Sequence, residues 1–327
     1  MKRFAVNITL AFSLLAGGLL LQAKAHQKGI VRRDPLPYSE DWRLAFRTPD
    51  PRGGPPFNHT LRSVKPDGTE NDFLWGMRAP LSTSNTISFT FTPNGQTFIY
   101  SISEGTYTQE RGREPRRIMG TVDRLSVSPD GRKLLYTKDV GRAGGIDIFT
   151  SDLDGTGEVR VTNDPKNDVN PSWSPDGKKI IFTSDPLGWH GLVVINADGS
   201  GRRRLTEDVA VPRMRYDGAV WSPDGRRIAF VGTALDLPPE ARPHAEQIYV
   251  MNVDGTGQIK LTSGDFLYNS LRWSPNGAQL SFCRRNYTPS TSYDDIFVME
   301  SDGRRLTNLT NTSDISETRA CWFLTRR

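Results

Sequence analysis

A five-residue phrase recurs along this chain and constrains its architecture more than any other feature. Trp173-Ser174-Pro175-Asp176-Gly177 returns as Trp221-Ser222-Pro223-Asp224-Gly225 and as Trp273-Ser274-Pro275-Asn276-Gly277. Weaker copies are Val127-Ser128-Pro129-Asp130-Gly131 and Phe91-Thr92-Pro93-Asn94-Gly95. The prolines at 93, 129, 175, 223 and 275 are spaced by 36, 46, 48 and 52 residues. Periods of this size belong to propellers and to helical arrays. No segment carries the apolar stripe of period 3.6 that an array of helices needs. The helical reading fails.

Each unit reads as four short strands. The Pro-Asp-Gly or Pro-Asn-Gly turn comes first, because Pro presets φ and Gly tolerates the positive φ that follows. An alternating strand such as Lys179 to Thr183 or Arg227 to Val231 comes next, and then an apolar strand such as Leu192 to Ile195, Ile248 to Met251 or Ile296 to Met299. A second turn closes a hairpin at Asp154-Gly155, Asp198-Gly199, Asp254-Gly255 and Asp302-Gly303. Asp-Gly between apolar runs is a strong short-range hairpin signal. Four antiparallel strands at this period make a propeller blade.

The ends of the chain complement each other. Thr318 to Trp322 aligns with the start of a unit, Ser270 to Trp273, without the rest of one. Trp42 to Phe46 resembles a second strand, and Thr60 to Thr69 a third strand with its Asp-Gly turn; Asn71 to Trp75 would be the outer strand. The expected fold is therefore an all-β, six-bladed propeller over residues 41–327. Its sixth blade is shared by about 41–76 and 316–327, which removes exposed sheet edges.

The Trp-Ser-Pro-Asp-Gly units, with their later Asp-Gly-x-Gly and Arg/Lys-Leu-Thr segments, resemble the repeats of the TolB-type β-propeller family over roughly residues 85–327. That resemblance implies the propeller fold and protein partners in a cell envelope. It does not extend to the α/β domain that precedes the propeller in the family, since residues 26–80 are too few and too strand-like. Fold alone leaves function open.

The N-terminus has three parts. Met1-Lys2-Arg3 is basic, Phe4 to Leu21 is apolar, and Ala23-Lys24-Ala25 fits a small-x-small cleavage site. Residues 1–25 read as a signal peptide, with an uncleaved anchor helix as the alternative, and residues 26–40 as a flexible leader. Cleavage would remove three basic residues and no acid, lowering the net charge from +5 to +2. Such a charge gives no global pull toward nucleic acid. A periplasmic or secreted monomer, with no membrane span after cleavage, is expected.

Candidate chemistry is sparse. There is no Gly-x-Ser-x-Gly elbow, His-Glu-x-x-His or phosphate-binding Gly-x-x-x-x-Gly-Lys. Asp152-Leu153-Asp154-Gly155 lacks the further ligands and closing Glu of a calcium loop, so it is expected to be a hairpin turn. The recurring Trp residues 173, 221, 273 and 322 are expected to pack between blades. His190 and His244 fall in equivalent loops of neighbouring blades. Oligogalacturonate lyases, a TolB-like family, place a histidine cluster and a metal there, which makes a divalent metal and a polysaccharide lyase the alternative function. Two imidazoles under-ligate a metal, and solvated loop histidines with no cofactor are the main expectation. The same face collects Trp189, Arg213, Arg215, Tyr216, Tyr268, Arg285 and Tyr287, residue types enriched at binding hot spots. The function expected is a non-catalytic scaffold that binds a protein or glycan partner through this loop-rich face. Cys283 and Cys321, the only cysteines, could bridge the closing blades if their β-carbons come within about 4.5 Å.

Overall fold

The structure, a computed structural model, describes residues 42–49, 59–67, 69, 72–75, 88–110, 112–141, 145–185, 191–206, 214–235, 246–286, 293–311 and 318–324. The expectations for the signal peptide and leader lie outside these residues. Residues 41–327 form one compact unit. Among the described residues no helix is long and apolar enough to cross a membrane.

Among the described residues every element is a strand, and the pairing is antiparallel. The first set is β4 (Ser88–Phe91), β5 (Thr97–Ile102), β6 (Gly105–Glu110) and β7 (Arg116–Met119). The second is β8 (Asp123–Val127), β9 (Lys133–Asp139), β10 (Ile146–Asp152) and β11 (Val159–Arg160). The third is β12 (Asn167–Trp173), β13 (Lys179–Asp185), β14 (Gly191–Asn196) and β15 (Arg203–Arg204). The fourth, β16 (Met214–Trp221), β17 (Arg227–Ala234), β18 (Glu246–Asn252) and β19 (Ile259–Lys260), joins the fifth through the single pair Glu246–Phe266. The fifth is β20 (Phe266–Trp273), β21 (Gln279–Asn286), β22 (Asp294–Glu300) and β23 (Thr307–Asn308). A last set draws on both chain ends: β1 (Trp42–Pro49), β2 (His59–Val64) and β3 (Asp72–Trp75) continue from β24 (Thr318–Leu324). Leu44 stands opposite Trp322 and Ala45 opposite Cys321.

The recurring phrase earns its regularity in the turn. Ser174 Oγ donates to Asp176 Oδ1 at 2.6 Å and accepts the Lys179 N–H at 2.9 Å. Asp176 also accepts the Lys178 N–H, and these bonds hold its carboxyl below the usual carboxylate range. Gly177 closes the turn with its N–H on the Ser174 carbonyl, at a φ of +68° that only Gly adopts without strain. The same turns also touch: Gly177 sits on Pro129, Gly225 on Pro175 and Gly277 on Pro223, each proline belonging to the preceding set. The Asp-Gly hairpins work likewise. Gly155, Gly199, Gly255 and Gly303 lie against carbonyls of Ile118, Val161, Leu205 and Leu261. Asp152-Leu153-Asp154-Gly155 is such a hairpin, with Asp154 accepting from Thr156 and Asp152 paired to Lys133 at 2.8 Å.

The core lies between sets rather than within them. Trp173, Phe182 and Val193 of the third set pack on Leu135, Ile148 and Val161 of the second. Trp273, Phe282 and Phe297 of the fifth pack on Val220, Val231 and Ile248 of the fourth. Trp221 and Trp322 occupy the corresponding interfaces, as expected. Cys283 is buried beside Leu44, Ile296 and Trp322; the side chain of Cys321 lies outside those described. The first strands of the sets contact one another in the order β24, β4, β8, β12, β16, β20 and back to β24.

Candidate functional site

The first strands β8, β12, β16 and β20 break their ladders at the same place. The register of β8, β12, β16 and β20 shifts between Asp123 and Ser126, Val169 and Ser172, Asp217 and Val220, and Asn269 and Arg272. At the bulge, Arg124, Asn170, Gly218 and Ser270 take φ values of +53° to +58°. A bulge bends the strand and re-aims its side chains. Here the bulged segments line a cleft of about 340 Å³ together with Ser88, Ser126, Ser172 and Arg272.

A second cleft, about 480 Å³, opens beside the first and shares Arg124, Asn170 and Asp217 with it. Asp123, Lys138, Asp139 and Arg215 complete this mouth. Asp217 is held in place by Asn170 Nδ2 and by the Gly218 N–H at 2.8 Å. Lys138 is committed to Glu158 at 2.7 Å, whereas Arg124 and Arg215 are exposed. Behind them, Glu246 Oε2 accepts the Tyr268 N–H at 2.6 Å. Burial raises the Glu246 pKa above the ordinary value, with a further push from Asp217 and an opposing pull from Arg215. The site is thus a polar, mixed-charge opening on rigid strands.

The sequence-derived binding residues scatter relative to this opening. Arg215 stands at the mouth. Tyr216 is only 3% exposed and packs on Phe230 at 5.5 Å, so it is core rather than a contact residue. Tyr268, 6% exposed and edge-on to Phe282 at 5.5 Å, is likewise core, and it reaches the inner cleft only as part of its lining. Both are corrections: strand alternation at the start of β16 and β20 turns one tyrosine of each segment inward. Arg285 is half-buried, and its Nε donates to the buried Asp294 at 3.1 Å, so its charge is already engaged. Trp189, His190, Arg213, His244 and Tyr287 lie outside the described residues. Among the described residues no group of three His, Cys, Asp or Glu is gathered for a metal.

Arg124, Asn170, Asp217, Glu246 and Arg272 escaped the sequence reading. One signal was available: the bulge falls three residues before the repeated aromatic position, and Asn170 and Gly218 there are types that favour positive φ.

Four-stranded antiparallel sets packed face to face define a β-propeller protein. Residues 117–236 match the family model of the TolB beta propeller domain. TolB of Acinetobacter baumannii superposes with a TM-score of 0.65 at 24% identity, covering 86% of this chain and 66% of that one. An oligogalacturonate lyase solved with manganese superposes with a TM-score of 0.54 at 14% identity, over 76% of this chain and 70% of that one. Both likenesses are of fold. The uncharacterized protein Atu1656 of Agrobacterium fabrum is 29% identical over 164 residues, 48% of this chain. The matched chain spans about half the length of that relative, 53%.

Proposed function

We propose that this protein is an exported, non-catalytic binding scaffold, a six-bladed propeller that holds a protein or glycan partner at the mouth of its central channel. Support for the closed ring comes from the cyclic order of first-strand contacts and from the β1–β24 pairing that joins the chain ends. The export reading rests on the basic, apolar and small-residue segments of positions 1–25.

One observation carries the binding reading. The inner cleft and the mouth share Arg124, Asn170 and Asp217, so a ligand reaching from one to the other passes these three polar groups. Bulged strands supply these groups, and their positions are fixed before any ligand arrives. Preorganisation of this kind lowers the entropic cost of binding. The TolB-type fold favours an envelope protein as partner. A metal-dependent polysaccharide lyase is the alternative; it would draw on His190 and His244.

The test is capture of a partner from envelope extract with the mature chain, followed by affinity measurement on the purified pair. Arg124→Ala/Arg215→Ala should weaken binding about ten-fold or more while leaving the circular dichroism spectrum unchanged. Equal binding by the double variant would move the interface away from the mouth.

A further inference from the structure

We infer that the inner cleft takes a carboxylate group of a ligand, with Ser126 and Trp173 as its hydrogen-bond donors and Arg124 as its counter-ion. This subsite presupposes that ligands enter at the mouth, as proposed above, and adds the chemistry of the group that passes inward.

Two residues lining the cleft carry buried polar atoms with no hydrogen-bond partner among the described residues, Ser126 Oγ and Trp173 Nε1. Buried polar groups are nearly always paired, so each of these atoms calls for a partner. The repeat directs them to one junction. In the fifth blade, Trp273 Nε1 donates to the Val220 carbonyl of the fourth at 3.2 Å. Ser126 holds in the second blade the place that Val220 holds in the fourth: each is the first residue paired again after the bulge, Ser126 with Leu135 and Val220 with Ala229. Trp173 of the third blade is therefore the counterpart of Trp273 over Ser126, yet it makes no such bond. Trp221 Nε1 and Trp322 Nε1 are also unpaired, but neither tryptophan lines the cleft. Only Trp173 can be completed by a ligand there.

Donor chemistry and charge together select an anion. An indole N–H donates and never accepts, and a hydroxyl can donate beside it. Arg124 is exposed, and its side chain enters no ion pair among the described residues. The mouth is balanced, with Arg124, Lys138 and Arg215 against Asp123, Asp139 and Asp217. The inner cleft is not: Arg124 and Arg272 line it against Asp217 alone, and Asp217 already accepts from Asn170 Nδ2 and the Gly218 N–H. Net charge thus turns positive on passing inward. Donors spend themselves best on an ionised acceptor, where hydrogen bonds are stronger than to a neutral carbonyl. Leu125, Pro129, Pro171 and Leu271 supply apolar walls, which suit a short methylene stem behind the carboxylate.

The test is calorimetric titration of the full mature chain at low ionic strength with three probes: glutarate, a capped Gly-Ser peptide carrying one Glu, and the same peptide carrying Gln. Saturable binding of glutarate alone assigns a free carboxylic acid; binding of the Glu peptide assigns an acidic side chain of a protein segment. Ser126→Ala and Trp173→Phe each remove one donor with little change in packing, and each should weaken the bound probe about ten-fold. Trp221→Phe removes an unpaired indole N–H away from the cleft and should leave affinity unchanged. If Trp173→Phe folds poorly, Ser126→Ala decides alone. The subsite is overturned if neither glutarate nor the Glu peptide saturates, or if the Gln peptide binds as well as the Glu peptide. Affinity unchanged by Ser126→Ala and Trp173→Phe, or lowered equally by Trp221→Phe, overturns it too. The scaffold is judged separately. A captured partner that depends on Arg124 and Arg215, without carboxylate binding, removes the subsite and leaves the mouth; carboxylate binding with no captured partner does the reverse.

Discussion

Replacing Gly255 by Ala tests whether the repeated Asp-Gly turn is dictated by contact between blades or only by its own backbone. Gly255 has a φ of +95°, and its N–H donates to the Asn252 carbonyl at 2.9 Å. An added β-carbon would stand 2.6 Å from the Leu205 carbonyl oxygen and 3.4 Å from Leu205 Cδ1. That carbonyl cannot swing aside, because the Leu205 N–H is bonded to Leu192 at 2.8 Å and its side chain is buried. Left-handed backbone costs an L-residue about 1–2 kcal/mol, and forcing the fourth blade off the third adds about 1–3 kcal/mol of overpacking. Lower entropy of the unfolded chain returns about 0.4–1 kcal/mol. The expected loss is about 2–4 kcal/mol.

Gly112 supplies the control. Its φ is +76°, and nothing lies within 4 Å of an added β-carbon, so Gly112→Ala should lose only the backbone part, about 1 kcal/mol. Urea unfolding followed by tryptophan fluorescence, with both variants compared at a common m-value, measures the difference. If Gly255→Ala is no more destabilising than Gly112→Ala, the turn does not press on the preceding blade and the account of the repeat given above is wrong.

Further outcomes are expected from the same geometry. Because burial raises the Glu246 pKa, protonation favours the folded chain; this contribution is fully present below the ordinary value of 4.5 and is lost as pH rises through the raised folded value. Glu246→Gln should remove that pH dependence from the unfolding midpoint, and an unchanged pH profile would show that Glu246 titrates normally. Tyr268→Ala should cost about 3–5 kcal/mol as a core truncation, whereas Arg215→Ala should stay within about 0.5 kcal/mol; equal effects would contradict the assignment of Tyr268 to the core. Deleting residues 318–327 removes the strand paired with β1, and the unfolding midpoint of the whole ring should fall rather than that of one blade; a local effect would argue against closure. Pectate incubated with the protein and manganese should yield no unsaturated product; turnover that His190→Ala abolishes would establish the lyase.

The strand framework was legible because the contacts that build it repeat. Trp173, Trp221 and Trp273 fill equivalent interfaces, and the glycines after Pro-Asp, Pro-Asn and Asp meet the preceding set, so one phrase encodes both a turn and its packing. The pairing of β1 with β24 was legible for the same reason, since each chain end carries a part of the repeat unit that the other lacks. The binding surface was not. Tyr216 and Tyr268 look like exposed loop aromatics in sequence, yet one residue of strand register decides whether a side chain faces water or the neighbouring blade. Arg285 carries a charge that sequence counts as available, but Asp294, nine residues later, takes it up.

The positions that pack one four-stranded set on the next and those that line the clefts are under different physical demands. Trp173, Gly177 and Gly199 each touch the preceding blade, and any change there meets a neighbour. The bulge residues Arg124, Asn170, Gly218 and Ser270 line the inner cleft and differ in size and charge, yet all four take a positive φ. A nearly symmetric frame can therefore carry an asymmetric set of charges at no cost in packing. Arg124 and Arg215 line the same cleft as Asp123, Asp139 and Asp217, so on the proposed binding reading a partner there must match charges of both signs.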